Sequence, residues 1–251
     1  MCLHHQPASH DVDKTQHRLK PNRTTGTLGG MHRQFIVMIL AHTSLLACNR
    51  EKAVEFPDGL APLDAENRAT PPKGTSADPY PEEISTITGS EDDYEWGHAI
   101  AYVHAPIDKV WEAIQNPDVD VDRARVDTWT TEWDVDADYE VSYRISNATE
   151  DLITVEWDVD WRHGVVDGST SAPQVVGARF LKSDGSSLIE MLEGSVSLYW
   201  VEDEITTLVI MQHLSATATE ADAIQAYFED FFIDVVAFVN DEPLPDIPSE
   251  R

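Results

Sequence analysis

Three successive blocks of alternation between Thr128 and Arg162 constrain the fold more than any other feature of the chain. In the first, Trp129, Thr131, Trp133 and Val135 alternate with polar neighbours. In the second, Tyr139, Val141, Tyr143 and Ile145 alternate with Glu140, Ser142, Arg144 and Ser146. In the third, Ile153, Val155, Trp157, Val159 and Trp161 alternate with Thr154, Glu156, Asp158, Asp160 and Arg162. A period of two sends alternate side chains to opposite faces of a pleated strand. A sheet with one wet and one dry face is characteristically antiparallel. Strands are therefore expected over 128–136, 139–147 and 152–162. Further apolar stretches predict strands over 95–104, 175–182, 187–200 and 205–216, the last two a hairpin about Glu202-Asp203. The Gly/Ser-rich run from His163 to Pro173 reads as an irregular loop, and Ser183-Asp184-Gly185-Ser186 as a turn.

Elsewhere the period changes. After the strand ending at His104, Ala105-Pro106 leads into Ile107, Val110, Trp111 and Ile114, which fall at helical spacing. Pro106 suits a first helical residue, whose N–H has no intrahelical partner. This short helix stops at Asn116-Pro117, and a second is expected within Asp118–Asp127. Near the C-terminus, Ile224, Phe228, Phe231, Val235 and Phe238 recur at spacings of four and three. Tyr227, Phe232 and Val239 widen that stripe into a broad aromatic face. Thr219-Glu220-Ala221-Asp222 reads as a capping box at its start. Residues 241–251, with three prolines, read as a tail.

Charge narrows the partners. The formal net charge is −29. Five Lys/Arg and two Asp/Glu precede Cys48, and 12 Lys/Arg face 44 Asp/Glu from there on. A surface this acidic repels phosphate backbones, so nucleic acid is not an expected partner. The only cysteines are Cys2 and Cys48, so the main domain holds no disulfide or Cys-based zinc site. His98, His104, His163 and His213 show no ligand spacing, and neither a metal nor a cofactor is expected.

From Met31, a basic start, an apolar run from Phe35 and a small residue at Ala47 have the architecture of a secretory signal peptide. Leu45-Leu46-Ala47-Cys48 resembles the lipobox of bacterial lipoproteins. That resemblance implies lipidation of Cys48, a signal peptide over 31–47 and an over-extended stretch over 1–30. It also implies an outer-membrane lipoprotein of a bacterial cell envelope, since mature residue two is Asn49. Residues 48–92, interrupted by Pro57, Pro62, Pro71-Pro72, Pro79 and Pro81, read as a disordered tether.

The order of elements over 93–240 is strand, short helices, about six strands and a long helix. It resembles the START/polyketide-cyclase superfamily (SRPBCC, helix-grip). The residues that carry the likeness are Val103–Ile114 and the hairpin-to-helix ending from Ser187 to Val239. The resemblance implies an α+β helix-grip fold: a curved antiparallel sheet of about seven strands wrapped around the C-terminal helix. It further implies an apolar cavity that takes a hydrophobic small molecule or lipid. Candidate cavity residues are Trp129, Trp133, Tyr143, Trp157, Trp161 and Phe180 from the sheet, His213 from the last strand, and Phe228, Phe231 and Val235 from the helix. Any one of these aromatics is also ordinary core material. No nucleophile elbow, Gly-rich phosphate loop or Cys–His pairing is present, so non-catalytic binding is expected. The alternatives are a cyclase- or hydrolase-type enzyme, with His213 and Tyr143 meeting in the cavity, and an interaction domain whose cavity is filled by Trp.

Overall fold

The computed structural model describes residues 56–150, 153–217 and 221–247. The proposed signal peptide, Cys48 and Thr219 of the capping box lie outside them. The strands are β1 (Ile84–Ser90), β2 (Glu95–Val103), β3 (Thr128–Trp133), β4 (Val141–Glu150), β5 (Thr154–Ser169), β6 (Ala172–Gly185), β7 (Ile189–Glu202) and β8 (Ile205–Ala216). The helices are α1 (Ile107–Ala113), α2 (Pro117–Asp120) and α3 (Ala221–Val239). All eight strands form one antiparallel sheet in the order β1-β2-β8-β7-β6-β5-β4-β3.

Three expectations change. The sheet has eight strands rather than about seven, because β1 lies inside the stretch read as a tether. The segment 163–173 is not a loop but the distal half of the β5–β6 hairpin, whose register shifts near Val165 and Asp167 accommodate its glycines. Pro106 is the N-cap of α1 rather than its first residue. Its ψ of 148° is extended, while its carbonyl accepts from Lys109 and Val110 N–H.

The expected parity holds in the middle of the sheet. Tyr143, Trp161 and Phe180 are direct cross-strand neighbours, and the row continues through Gly194, Gln212 and Gly97. These residues share the inner face. The aromatic stripe of α3 also faces inward: Ile224, Phe228, Phe231 and Val235 are buried. Among the strands, α3 packs against β1 and β2, and it also meets α1 and α2. Gly97 sets that approach. A Cβ there would lie 2.3 Å from Ile224 Cγ2 and 2.8 Å from Phe228 Cε2. Gly97→Val is expected to lower stability by about 3 kcal/mol through overpacking. An unchanged thermal midpoint would contradict this account of how the helix seats.

Geometry explains why α3 cannot close the inner face alone. Strands spaced ~4.8 Å apart make an eight-stranded sheet roughly 34 Å across, whereas a helix with its side chains is ~10–12 Å wide. A helix seated on β1 and β2 leaves the β4–β8 region to another roof. That roof is α1, which packs on β6, β7 and β8, together with the α2–β3 connection, pinned to α3 by Arg123. Its guanidinium donates to both carboxylate oxygens of buried Asp234 at 2.6 Å and to the Pro245 carbonyl at 3.0 Å.

The outer face is not wholly wet. Residues 56–70 cross it as a strap. Phe56 lies under the Arg162 guanidinium, 3.5 Å from ring centroid to Cζ. The Ala61 carbonyl accepts from Arg179, and Leu63 N–H donates to Ser195 Oγ at 2.9 Å. A Cβ at Gly177 would lie 2.7 Å from the Leu60 carbonyl oxygen, so glycine lets the strap come this close. At the far end, Asn67 Nδ2 donates to the Ala99 carbonyl. Arg68 N–H donates to His98 Nδ1 at 2.9 Å.

Candidate functional site

A cavity of about 910 Å³ lies between the inner face of the sheet, the N-terminal half of α3 and the α2–β3 connection. Its sheet wall is the aromatic and aliphatic side of β4–β8: Ile145, Trp157, Val159, Trp161, Phe180 and Leu214. Val121 and Val126 come from the roof, Leu192 from β7, and Ala223 and Ala226 from α3. The wall is stiffened by stacking. The Trp161 and Phe180 rings are 4.4 Å apart at 28°, and Tyr143 stacks on Trp161 at 6.2 Å and 15°.

At one side the wall turns polar. The Tyr143 hydroxyl bonds to Asp120 Oδ2 on α2 and lies 3.1 Å from His163 Nε2. The Asp120 carbonyl accepts from Tyr227 Oη on α3 at 3.1 Å. All four side chains are buried. Burial pushes the Asp120 carboxyl well above the ordinary carboxylate range, and the Tyr143 hydrogen bond only partly offsets it. Burial alone holds the His163 imidazole down to about 3, so it is neutral at neutral pH. The cluster is thus a buried polar network at the end of an apolar chamber, in which burial disfavours charge on both Asp120 and His163. Asp120 belongs to the cavity lining, whereas Tyr143 and His163 stand behind it.

Of the residues expected from the sequence, Trp157, Trp161 and Phe180 line the cavity. Phe228, Phe231 and Val235 are buried in the core beneath α3. Trp129 sits at the β3 edge, its Nε1 donating to Asp118 Oδ1 at 2.9 Å. Trp133 is 50% exposed there, its ring 4.9 Å from Tyr143. His213 lies on the outer face, opposite Trp96 and Glu193. It therefore does not meet Tyr143, and the acid–base pair considered above is not assembled.

His213 instead joins the strap. Its Nε2 is 3.2 Å from Asp64 Oδ2 and its Nδ1 is 3.4 Å from Glu193 Oε1. The same Asp64 oxygen accepts from His98 Nε2 at 2.8 Å. Because His98 Nδ1 accepts a backbone N–H, its Nε2 carries the proton. Burial lowers the His98 pKa despite Asp64. Burial also opposes the charge on His213, but Glu193 and Asp64 outweigh it and raise its pKa.

Sequence reasoning missed Asp120, Gln212, Leu192 and the roof residues. The parity of β8 offered no guide to Gln212 over His213. Leu208, Val209, Ile210 and Met211 are all buried, since α3 and the roof cover one face and the strap the other.

No protein-family model matches the chain, and no curated protein matches it. Among solved structures it is similar to the lipid transfer and protein localization domain of human StarD13, at 10% identity over 72% of this chain and 91% of that one, with a TM-score of 0.46. It is similar to a STAR-related lipid transfer protein from Xanthomonas axonopodis, at 11% identity over 64% and 93% of the two chains, TM-score 0.43. It is also similar to the Zhui aromatase/cyclase from Streptomyces sp. R1128, at 14% identity over 62% and 92%, TM-score 0.35.

Proposed function

We propose that this domain binds a hydrophobic small molecule or lipid, without catalysis, in the cavity between sheet, roof and α3. The observation that carries this reading is the chamber itself: about 910 Å³, walled by Trp157, Trp161, Phe180, Val159, Ile145 and Leu214. Small-molecule sites are commonly concave, mostly apolar and within ~300–1,000 Å³, with a few polar groups that orient the ligand. Transfer of apolar ligand surface out of water, at about 25 cal/mol per Å², supplies the affinity. Native mass spectrometry of the full chain purified from its own host tests this. A co-purifying small molecule released on activation is expected. Spectra of the bare chain alone, unchanged by added lipid, would contradict it.

Filling the chamber is expected to abolish binding at modest cost to the fold. Leu192 is partly buried on β7 and faces the cavity. Leu192→Trp should weaken binding of an apolar probe at least tenfold. The thermal stability should change by no more than about 1–2 kcal/mol, because the added ring enters open space rather than packed core. Unaltered probe affinity would place the ligand elsewhere.

The proposal extends to location. A lipid on Cys48, supported by the lipobox resemblance of Leu45–Cys48, tethers the domain to a bacterial envelope membrane. Cys48→Ser should move the protein from the membrane fraction to the soluble one, and continued membrane partitioning would remove the anchor.

A further inference from the structure

The apolar wall has two polar interruptions that the fold leaves unsatisfied. Gln212 lies in the inner row of the sheet, four strands along from Tyr143, and is 4% exposed. Its Oε1 has no hydrogen-bond partner among the described residues. Asp120, 5% exposed, spends Oδ2 on the Tyr143 hydroxyl and leaves Oδ1 without a partner. Both residues line the same cavity. A buried acceptor left unpaired carries a desolvation penalty, and such groups in native structures call for a partner. The cross-strand row from Tyr143 to Gln212 is filled by Trp161 and Phe180, whose ring lies over Gly194.

The charges around the chamber select against one ligand class. Its lining carries Asp122, Asp127, Glu150 and Asp222. Arg125 is the one cationic side chain in the lining, and its Nη1 donates to Asp122 Oδ2 at 2.9 Å. An anionic headgroup would pass those carboxylates and lose its hydration, with the lining cation already engaged. A hydroxyl meets no repulsion from the carboxylates, and donating to a side-chain oxygen offsets its smaller desolvation cost.

We infer that the ligand is an uncharged amphiphile with at least one hydroxyl group, seated with that hydroxyl on Gln212 and its apolar body against Trp161 and Phe180. Fatty acids and other anionic lipids of the same length are excluded. Asp120 Oδ1 offers a second anchor for a ligand long enough to span the row. The inference rests on the cavity being a ligand site, as proposed above. It adds the selection by charge and the residue that reads the hydroxyl.

The test uses the full chain and three probes at about pH 8, where a fatty acid is ionised. Diphenylhexatriene, a hydrocarbon, reports the cavity by its fluorescence; decanol and decanoate compete with it. Decanol is expected to displace the hydrocarbon at least tenfold more effectively than decanoate. Gln212→Leu and, as a second near-isosteric variant, Gln212→Met should weaken decanol about tenfold relative to diphenylhexatriene. If diphenylhexatriene binds but decanoate competes as well as decanol, the charge selection is overturned while the cavity reading stands. If both Gln212 variants hold decanol as tightly as the original chain, Gln212 does not read the hydroxyl. Failure of diphenylhexatriene to bind at all would remove both the cavity reading and this inference.

Discussion

A chain that begins at residue 93 is expected to lose at least about 4 kcal/mol of stability relative to one that begins at Cys48. The expected domain start near 93 discards two pieces of the fold. One is β1, whose seven residues pair with β2 from Ile84↔Ala101 to Ser90↔Glu95. Without it β2 becomes a bare edge, and α3 loses one of the two strands it packs against. The other piece is the strap. Removing Asp64 leaves His98 Nε2–H without its acceptor and His213 with Glu193 alone. Leaving a buried N–H without its acceptor costs about 1–3 kcal/mol, and the His98 side chain is 1% exposed. The lost strand and the uncovered Trp96 supply the rest. Against a typical stability of about 5–15 kcal/mol, this removes a large part of the margin. Urea denaturation of the two chains, followed by tryptophan fluorescence, reads the difference. Equal midpoints would mean that residues 56–92 add nothing to the folded state.

The second large effect is acid lability through His163. Its folded pKa is held to about 3, against 6.5 for the free side chain. Between those values the unfolded chain binds a proton that the folded chain refuses. Stability from this residue is therefore complete above about pH 6.5 and falls as pH drops toward 3. The slope approaches about 1.4 kcal/mol per pH unit, up to roughly 5 kcal/mol across the window. Asp120 acts with the opposite sign. Its folded pKa is raised, so its contribution is present in acid and is lost as pH rises through the folded value. His213, also raised, contributes below about 6.5 and loses that contribution as pH rises through its folded pKa. His98, lowered by burial, follows His163. Comparing the chain with His163→Gln isolates one of these contributions, since glutamine cannot titrate but can still face the Tyr143 hydroxyl. Near neutral pH the variant should be the less stable, by about 1–3 kcal/mol. The gap should close or invert by about pH 4. A gap that stays constant with pH would show that His163 is not held neutral by burial.

The parts of this fold that were legible in the sequence are those where one face is dry and one wet. The parity of β4 and β5 identified the inward row of Tyr143, Ile145, Val159 and Trp161, all buried. The spacing of Ile224, Phe228, Phe231 and Val235 identified the inward face of α3. Parity failed where both faces are covered, as on β8, and so His213 stood in for its neighbour Gln212. Glycine misled over 163–173. Gly164 meets the strap, and Gly168 has a φ of +95° beside a bulge, so both serve strand structure rather than a loop. Proline misled at β1. The Ile84-Ser85-Thr86-Ile87-Thr88 run has ordinary strand composition, but it follows Pro79 and Pro81 in a stretch read as a tether. Asp120 was illegible because its meaning depends on Tyr143 and Tyr227, which reach it from β4 and α3, and on His163 of β5 beside Tyr143.

The account stands or falls on whether the chamber above Trp161 and Phe180 admits an apolar molecule. The most direct measurement is a fluorescence titration of diphenylhexatriene into the full chain, run in parallel with Leu192→Trp. Saturable binding near one probe per chain, lost in the variant while its unfolding midpoint is retained, is the predicted result. Absence of binding, or equal binding by both proteins, would contradict it.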